Sequence, residues 1–277
     1  MRRRLSRFAA ATAIHATLLA LAVASLVPLA WMVSASFMPQ GEATAFPPAL
    51  VPSRPTLDNY VDLFARLKFG RALANSILFA ATVTAISLLL NTLAGYALAK
   101  LRFRRRERIF DGLVAALVLP SQVAMLPLFL MLRALGFINT AWGVVLPGMA
   151  SLFGIFLVRQ YALSLPDELL DAARVDGASE FRIYRSIVLP LCRPILVSLG
   201  IFTFLGSWND FLWPLIVLSD ERRQTLPVAL ANLLGEHALD IELMMAGAVL
   251  TVLPVLVLFL AFQRYYIEGI TLGSVKE

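Results

Sequence analysis

The residues best suited to recognition form a short polar stretch that ends at a glycine. Asp171 begins it, two alanines follow, and Gly177 closes it. Small side chains let another backbone approach closely, and glycine also permits a sharp left-handed turn. The stretch lies in the polar segment Ser164–Pro190, between two strongly apolar runs. A carboxylate beside small residues in that setting predicts either a docking surface for a partner protein or a helix that lies on the bilayer.

A second candidate set surrounds a carboxylate inside an apolar run. Its members are Trp208, Asn209, Asp210, Trp213 and Pro214. An ionisable residue within a membrane span is costly and faces a cavity or a partner by default. Pro214 has no N–H for the Asp210 carbonyl, so we expect a bent helix whose freed carbonyl faces protein or water. The set predicts either a sugar site, with stacking and hydrogen bonds, or a kinked helix whose polar groups join subunits.

Composition defines the elements that must position these residues. Of the 277 residues, 59% are hydrophobic and 15% charged, which predicts an all-α polytopic membrane protein with six transmembrane helices. The expected spans are Phe8–Phe37, Leu73–Ala99, Ile109–Leu132, Trp142–Tyr161, Ile195–Leu218 and Met244–Tyr265. A straight helix from Arg193 would place Asp210 roughly 25 Å along its axis. We expect one domain over residues 1–277, with its core at about 71–265.

The distribution of basic residues predicts the orientation. With the N-terminus inside, 17 of the 24 Lys and Arg residues lie in inner segments and 7 in outer ones. Both termini are therefore expected in the cytoplasm. The net charge of +6 does not indicate a nucleic-acid partner, because most basic residues lie beside the expected spans, where they set the orientation. The first apolar run is longer than the hydrophobic core of a cleaved signal peptide, so we expect it to remain in the protein as a transmembrane helix.

The remaining segments offer weaker candidates. Asn91, and Gln122 beside Ser121, either line a path or form interhelical hydrogen bonds. Gly95 and Ala99 favour close helix packing. The outer segment Leu57–Phe69 is expected to be a helix along the membrane surface. His237, with Glu236 and Asp240, favours solvated surface or a partner contact over a metal site, and Cys192 is the only cysteine.

The 164–190 segment predicts two short helices. Pro166 suits a first helical turn, and the first helix is expected over Glu168–Val175. Ser179 can cap a second helix, which Pro190 is expected to stop. The residues expected on one face of that second helix are Phe181, Tyr184, Ile187 and Val188. From the residues alone, docking to a partner and lying on the bilayer are both open.

The segment resembles the cytoplasmic loop motif of binding-protein-dependent ABC permeases. The matching residues are Asp171, Ala172, Ala173, Gly177, Ile187, Leu189, Pro190 and Pro194, with Asp171 in place of the family's usual Glu. Other stretches resemble the shorter permease of the maltose and glycerol-phosphate type. They are Asn59-Tyr60, Asn75-Ser76, Thr203-Phe204, the run from Trp208 to Leu215, Thr225-Leu226-Pro227, Gln263-Arg264-Tyr265-Tyr266 and Gly273–Lys276, whereas Glu277 departs from the family's final Gly.

The resemblance implies an inner-membrane, multi-pass permease subunit of a bacterial ABC sugar importer. The loop residues Asp171, Ala172, Ala173, Asp176, Gly177, Ala178, Leu189 and Pro190 would then couple to an ATPase. The implied partners are a homologous permease, two ATP-binding subunits that hold ATP and Mg²⁺, and an extracytoplasmic solute-binding protein. This chain has no phosphate-binding loop of its own, so we expect no cofactor and no enzymatic activity in it.

Two other classes of membrane protein are less consistent with the sequence than a permease. An ion-coupled secondary transporter of a small polar solute should show two related halves with broken helices, and the sequence shows no such halves. An intramembrane enzyme would need a nucleophile with a base, or a metal cluster, and Asp210 alone provides neither.

Overall fold

The structure is a computed structural model that describes the backbone of residues 2–47, 49–65, 69–236 and 240–272. Across those ranges the regular secondary structure is entirely helical, in agreement with the predicted class. The helices are α1 Arg2–Ala35, α2 Asp58–Ala65, α3 Phe69–Lys100, α4 Arg106–Ala116, α5 Ser121–Ala134, α6 Ala141–Gly148, α7 Leu152–Leu163, α8 Asp167–Val175, α9 Glu180–Ile183, α10 Leu189–Leu191, α11 Arg193–Trp208, α12 Leu212–Val217, α13 Leu226–Glu236 and α14 Ile241–Leu272. A π-helical turn, Tyr184–Val188, joins α9 to α10, and Glu221–Arg223 is a 3₁₀ turn.

Within the part of the chain that the structure describes, four stretches are long and apolar enough to cross a membrane, and two bent pairs bring the number to six if each pair is one span. The four are Thr12–Ala35, Phe69–Lys100, Ala141–Leu163 and Ile241–Gln263. The bent pairs are Arg106–Ala116 with Ser121–Ala134, at 103°, and Glu180–Leu191 with Arg193–Trp208, at 79°. Each of the six predicted spans overlaps at least one helix, but the third, fourth and fifth are interrupted, at residues 117–120, 149–151 and 209–211.

The third expected span is broken by a proline. Pro120 has an extended backbone at ψ 131° and precedes the first residue of α5. Proline also disfavours the helical conformation of the residue before it, so α4 cannot run into α5. The continuous helix expected over Ile109–Leu132 is therefore wrong.

The fifth expected span ends earlier than the sequence predicted. α11 stops at Trp208, and α12 begins at Leu212, so Asp210 lies between two helices. The straight helix to Asp210 is wrong, and Pro214 does not cause the bend. Pro214 is the third residue of α12, where a backbone N–H would have no intrahelical partner in any case.

Residues 1–70 and 230–254 form one compact unit. In it the Asn59 side chain donates hydrogen bonds to the carbonyls of Ser36 and Met38, at 3.0 and 2.9 Å. The buried Glu242 accepts a 2.7 Å hydrogen bond from the Ala43 N–H. α2 confirms a helix within the expected range Leu57–Phe69, although residues 66–68 lie outside the described part of the chain. Every side chain from Thr12 to Ala30 is exposed, as suits a helix that meets lipid or another subunit.

Residues 71–229 and 255–277 form the second unit, which contains both candidate sites. Its α3 and α7 lie so close that a Cβ on Gly95 would come within 2.6 Å of Val158. This contact confirms the predicted close packing at Gly95. Asn91 of α3 adds a polar contact, because its Oδ1 accepts a 3.0 Å hydrogen bond from the Ser151 N–H. That contact fixes the break between α6 and α7.

Candidate functional sites

The first site is the 164–190 segment, whose first helix, α8, ends in a Schellman motif at Gly177. The glycine has φ +79°, and its N–H bonds the Arg174 carbonyl at 3.0 Å. The Ala178 N–H bonds the Ala173 carbonyl at 2.9 Å. These bonds satisfy two of the last carbonyls of α8 and turn the chain sharply. The left-handed turn predicted at this glycine is confirmed.

The second helix of the segment differs from its prediction at two positions. Ser179 caps α9 as expected, because its Oγ accepts a hydrogen bond from the Arg182 N–H at 3.3 Å. Pro190 does not stop the helix. The π turn before it changes the hydrogen-bond register, and such a change accommodates a residue without an N–H. Phe181 is 67% exposed, whereas Tyr184 and Val188 are buried, so the expected common face is wrong for Phe181.

Packing and one ion pair hold α8 against the helices of the same unit. Leu170 is buried in a cluster with Tyr96, Ile183, Tyr184 and Val188. At the other end of α8, the Lys100 ammonium lies 2.6 Å from an Asp167 carboxylate oxygen and donates to the Leu165 carbonyl. The hydrogen bond from Lys100 lowers the pKa of Asp167. α8 is therefore fixed to the C-terminal end of α3.

Arg174 joins α8 to α9 and, through them, to α3. Its guanidinium contacts Asp171 at 2.7 Å and Glu180 at 2.8 Å. Glu180 also accepts a 2.6 Å hydrogen bond from the hydroxyl of Tyr96, on α3. The hydrogen bonds from Arg174 and then from Tyr96 lower the pKa of Glu180. We call Arg174, Glu180 and Tyr96 the Arg174 bridge; it was missed in the sequence because its members come from three helices.

The outward face of α8 is small and apolar with an acidic border. Leu169 and Val175 are 48% and 88% exposed, and Ala172 lies between them at helical spacing. Glu168, Asp171 and Asp176 are exposed around this face, while Arg174 is turned toward Glu180. An acidic border opposes contact with an anionic bilayer. The geometry therefore favours docking to a protein over lying on lipid.

The second site is a cavity of about 500 Å³ between α5, α6, α11 and α12. Its walls are mainly apolar, with Phe153, Phe202 and Trp213 among them. Its polar side chains are Ser121, Gln122, Ser151, Thr203, Ser207 and Asp210. A mainly apolar wall with a few converging polar groups is typical of a small-molecule site. The bend at Asp210 brings that carboxylate to the wall, where its Oδ1 accepts a long 3.4 Å hydrogen bond from the Trp213 N–H.

The other candidates of the second set do not line this cavity. Trp208 is 1% exposed and stacks on Phe204, with ring centroids 6.0 Å apart. The Asn209 side chain donates to the Leu205 carbonyl at 2.9 Å, at the end of α11. Pro214 and Asn91 are buried outside the cavity wall. Thus the structure brings together Gln122, Asp210 and Trp213, and adds Ser151, Thr203 and Ser207, which sequence reasoning missed.

Within the described ranges, no group of three or more His, Cys, Asp or Glu side chains is placed to hold a metal ion. His237 and the tail Gly273–Glu277 lie outside the described residues, as do the side chains of Glu236 and of Arg264 to Tyr266. Asp240 accepts a 3.0 Å hydrogen bond from Gln40.

Comparison with known proteins shows the family to which the chain belongs. Residues 91–271 match the model of the binding-protein-dependent transport system inner membrane component. The arabinooligosaccharides transport system permease protein AraQ of Halalkalibacterium halodurans is 39% identical, over 92% of this chain and 93% of that protein. The lactose transport system permease protein LacG of Rhizobium radiobacter is 35% identical, over 91% of each. A crystal structure of a bacterial ABC transporter that imports the acidic polysaccharide alginate matches with a TM-score of 0.81 and 25% identity, over 92% of this chain and 96% of that chain.

The chain belongs to the family of binding-protein-dependent transport system inner membrane components. It is thus a multi-pass permease of the inner membrane, with an ABC importer fold, that acts with a solute-binding protein. The family match does not favour the ion-coupled secondary transporter.

Proposed function

We propose that this chain is the transmembrane permease subunit of an ATP-driven importer of a sugar or a related polyol or glycoside. The relatives AraQ and LacG carry the names of oligosaccharide and disaccharide transporters, which supports a carbohydrate cargo. A solute-binding protein delivers the cargo, a homologous permease completes the pore, and two separate subunits hydrolyse ATP. This chain forms part of the path for the sugar, and the movement driven by ATP hydrolysis is transmitted to it from the ATPase subunits.

The 164–190 segment docks on an ATPase subunit in this proposal. The observation that carries it is the Schellman turn at Gly177, beside an exposed face made of Leu169, Ala172 and Val175. A small, convex helix face can enter a cleft without rearrangement of its own backbone. The residues assigned to this contact are Asp171, Ala172, Ala173, Asp176, Gly177 and Ala178, with Leu189 and Pro190 supporting the second helix.

The Arg174 bridge carries movement from the docked helix into the membrane. Ionised hydrogen bonds and bidentate arginine contacts are stronger and more directional than neutral ones. Because Glu180 binds both Arg174 and Tyr96, a push on α8 moves α3 as part of the same rigid body. The buried Leu170 cluster supplies the packing that keeps this body from deforming.

The cavity beside Asp210 forms part of the sugar path. Trp213 offers an apolar face, and Gln122, Thr203 and Asp210 offer groups that bind hydroxyls. Four further residues support the helices that form this path without lining the cavity: Trp208, Asn209, Pro214 and Asn91. Most selection among sugars is assigned to the binding protein.

Gly177→Asp tests the docking proposal. Aspartate tolerates a left-handed backbone better than most residues, and a Cβ at Gly177 meets nothing within 4 Å of it in the chain. The variant should therefore insert normally but lose uptake, because its carboxylate enters the partner's cleft. Uptake of labelled sugar by cells with the complete transporter, with an immunoblot of the membrane fraction, measures both effects.

Gly136→Asp is the matched control. Gly136 has φ +76°, also has nothing within 4 Å of a built Cβ, and lies in the loop after α5. It receives the same charge and the same backbone strain, and its uptake should stay close to wild type. Equal uptake by the two variants, whether normal or lost, would contradict docking at Gly177.

A further inference from the structure

The loop between α3 and α4 carries a cluster of arginines at the boundary of two candidate spans. α3 ends at Lys100, and α4 starts at Arg106. Between and just beyond these ends lie Arg102, Arg104, Arg105 and Arg108, all exposed. Two consecutive spans meet the same membrane surface at their junction, so the cluster lies at lipid headgroup level whichever side it faces.

Most of the positive charge in this cluster is not neutralised by the chain. Lys100 pairs with Asp167, and Arg106 pairs with Glu107 at 2.8 Å. Glu107 is shared with the buried Arg159, at 2.7 Å. Within the described residues, the side chains of Arg102, Arg104, Arg105 and Arg108 make no hydrogen bond or ion pair. Four exposed cations therefore lie together, although Arg102 also interacts electrostatically with Asp167.

The arginines line a wide-open cleft. The cleft has a volume of about 500 Å³, and its lining is Arg102, Phe103, Arg105, Arg106, Glu107 and Arg108. The single carboxylate in it, Glu107, already accepts from Arg106 and Arg159, so the net charge of the lining is positive. Guanidinium groups bind phosphate through paired N–H donors. Phe103 and Ile109 are 42% and 48% exposed beside them, which adds an apolar surface for acyl chains.

We infer that this cleft is a binding site for an acidic phospholipid, with its phosphate held by Arg102, Arg105 and Arg108. The exposed Phe103 favours a lipid over a free anion, because a soluble phosphate would leave that ring in water. Arg105 has a left-handed backbone, at φ 69°, immediately before α4, and this turn directs the chain around the cleft. The site goes beyond the proposed transport role and does not depend on it.

The test uses the full chain in nanodiscs of phosphatidylcholine with increasing phosphatidylglycerol. Native mass spectrometry counts the phosphatidylglycerol molecules retained after release into neutral detergent. The wild type should retain phosphatidylglycerol in preference to phosphatidylcholine. Each Arg→Gln change should weaken retention by about fivefold, the usual effect of one basic residue at an anionic membrane surface. The triple variant Arg102→Gln, Arg105→Gln, Arg108→Gln should lose the preference.

Two matched variants make the result specific. The triple Arg→Lys variant keeps the charge but loses the paired N–H donors, so its retention of phosphatidylglycerol should lie between those of the wild type and the triple Gln variant, which also shows that the loop tolerates substitution. Arg182→Gln with Arg185→Gln removes exposed charge from the 164–190 segment and should leave retention unchanged. An equal loss in that control would overturn the site, because it would show general charge attraction only.

Two further outcomes would also overturn the inference. Millimolar inorganic phosphate binding to the wild type, with no preference for phosphatidylglycerol, would show that the cleft holds a free anion. Loss of co-purifying ATPase in the triple Gln variant, with lipid retention unchanged, would identify a protein-docking surface instead.

Discussion

Single glycines determine how closely the membrane helices approach one another. Gly95 faces Val158, and Gly154 leaves no room for a Cβ beside Asn91, which would lie 2.3 Å away. Sequence reasoning predicted the close packing at Gly95 because small residues recur at helix interfaces in membranes. The need for glycine at position 154 could not be predicted, because it depends on where Asn91 reaches across from α3.

Gly95→Ala should destabilise the protein, since its Cβ would also lie 3.0 Å from the backbone nitrogen of Arg159, which cannot move freely. Overpacking of this kind costs about 1–3 kcal/mol. Gly112→Ala is the control: it lies within α4 with nothing within 4 Å, and it should be neutral or gain up to about 1 kcal/mol from helix propensity. Thermal unfolding in detergent should give a lower Tm for the first variant alone, and equal values would argue against a rigid α3–α7 contact.

At the level of elements, hydropathy predicted the existence of the spans but not their breaks. Apolar content alone cannot distinguish a straight helix from two helices joined at 103°. The break before α5 had a local signal in Pro120, whereas the break at Asp210 comes before the proline that was expected to cause it. The cavity depends on both breaks, which is why Thr203 and Ser207 could not be assigned to it from sequence.

The α8–α9–α3 connection predicts a loss of coupling in Glu180→Gln. The amide keeps the shape of the side chain but removes the charge that binds Arg174. Movement of α8 with the ATPase should therefore be transmitted less completely to α3. We expect sugar uptake to fall several-fold while the assembled transporter keeps most of its ATP hydrolysis. The measurement is the ratio of sugar transported to ATP hydrolysed, in proteoliposomes with the complete transporter.

Glu221→Gln provides the control for that experiment. It removes the same charge from the exposed 3₁₀ turn Glu221–Arg223, outside both the Arg174 bridge and the docking face of α8. Its ratio of transport to hydrolysis should match wild type. A normal ratio in Glu180→Gln as well would show that the bridge stabilises the loop without transmitting movement.

At the scale of the whole molecule, the orientation predicted from the basic residues determines which loops face the cytoplasm and which face outward. The Arg174 bridge can receive force from an ATPase only if the 164–190 segment is cytoplasmic. The same predicted orientation places the loop around Ala45 on the outer side of the membrane. Both loops can be probed with a single reagent, because the chain's one cysteine, Cys192, is 1% exposed.

Cysteines introduced at Val175 and at Ala45 should therefore react with a membrane-impermeant maleimide from opposite sides. Both positions are exposed, so each cysteine should label within minutes once the reagent reaches it. Ala45→Cys should react in intact spheroplasts, and Val175→Cys only in inside-out vesicles, while the unmodified chain stays unlabelled in both. Labelling of Val175→Cys in intact spheroplasts would place the 164–190 segment outside the cell and would exclude cytoplasmic docking. It would also contradict the charge asymmetry from which the orientation is predicted.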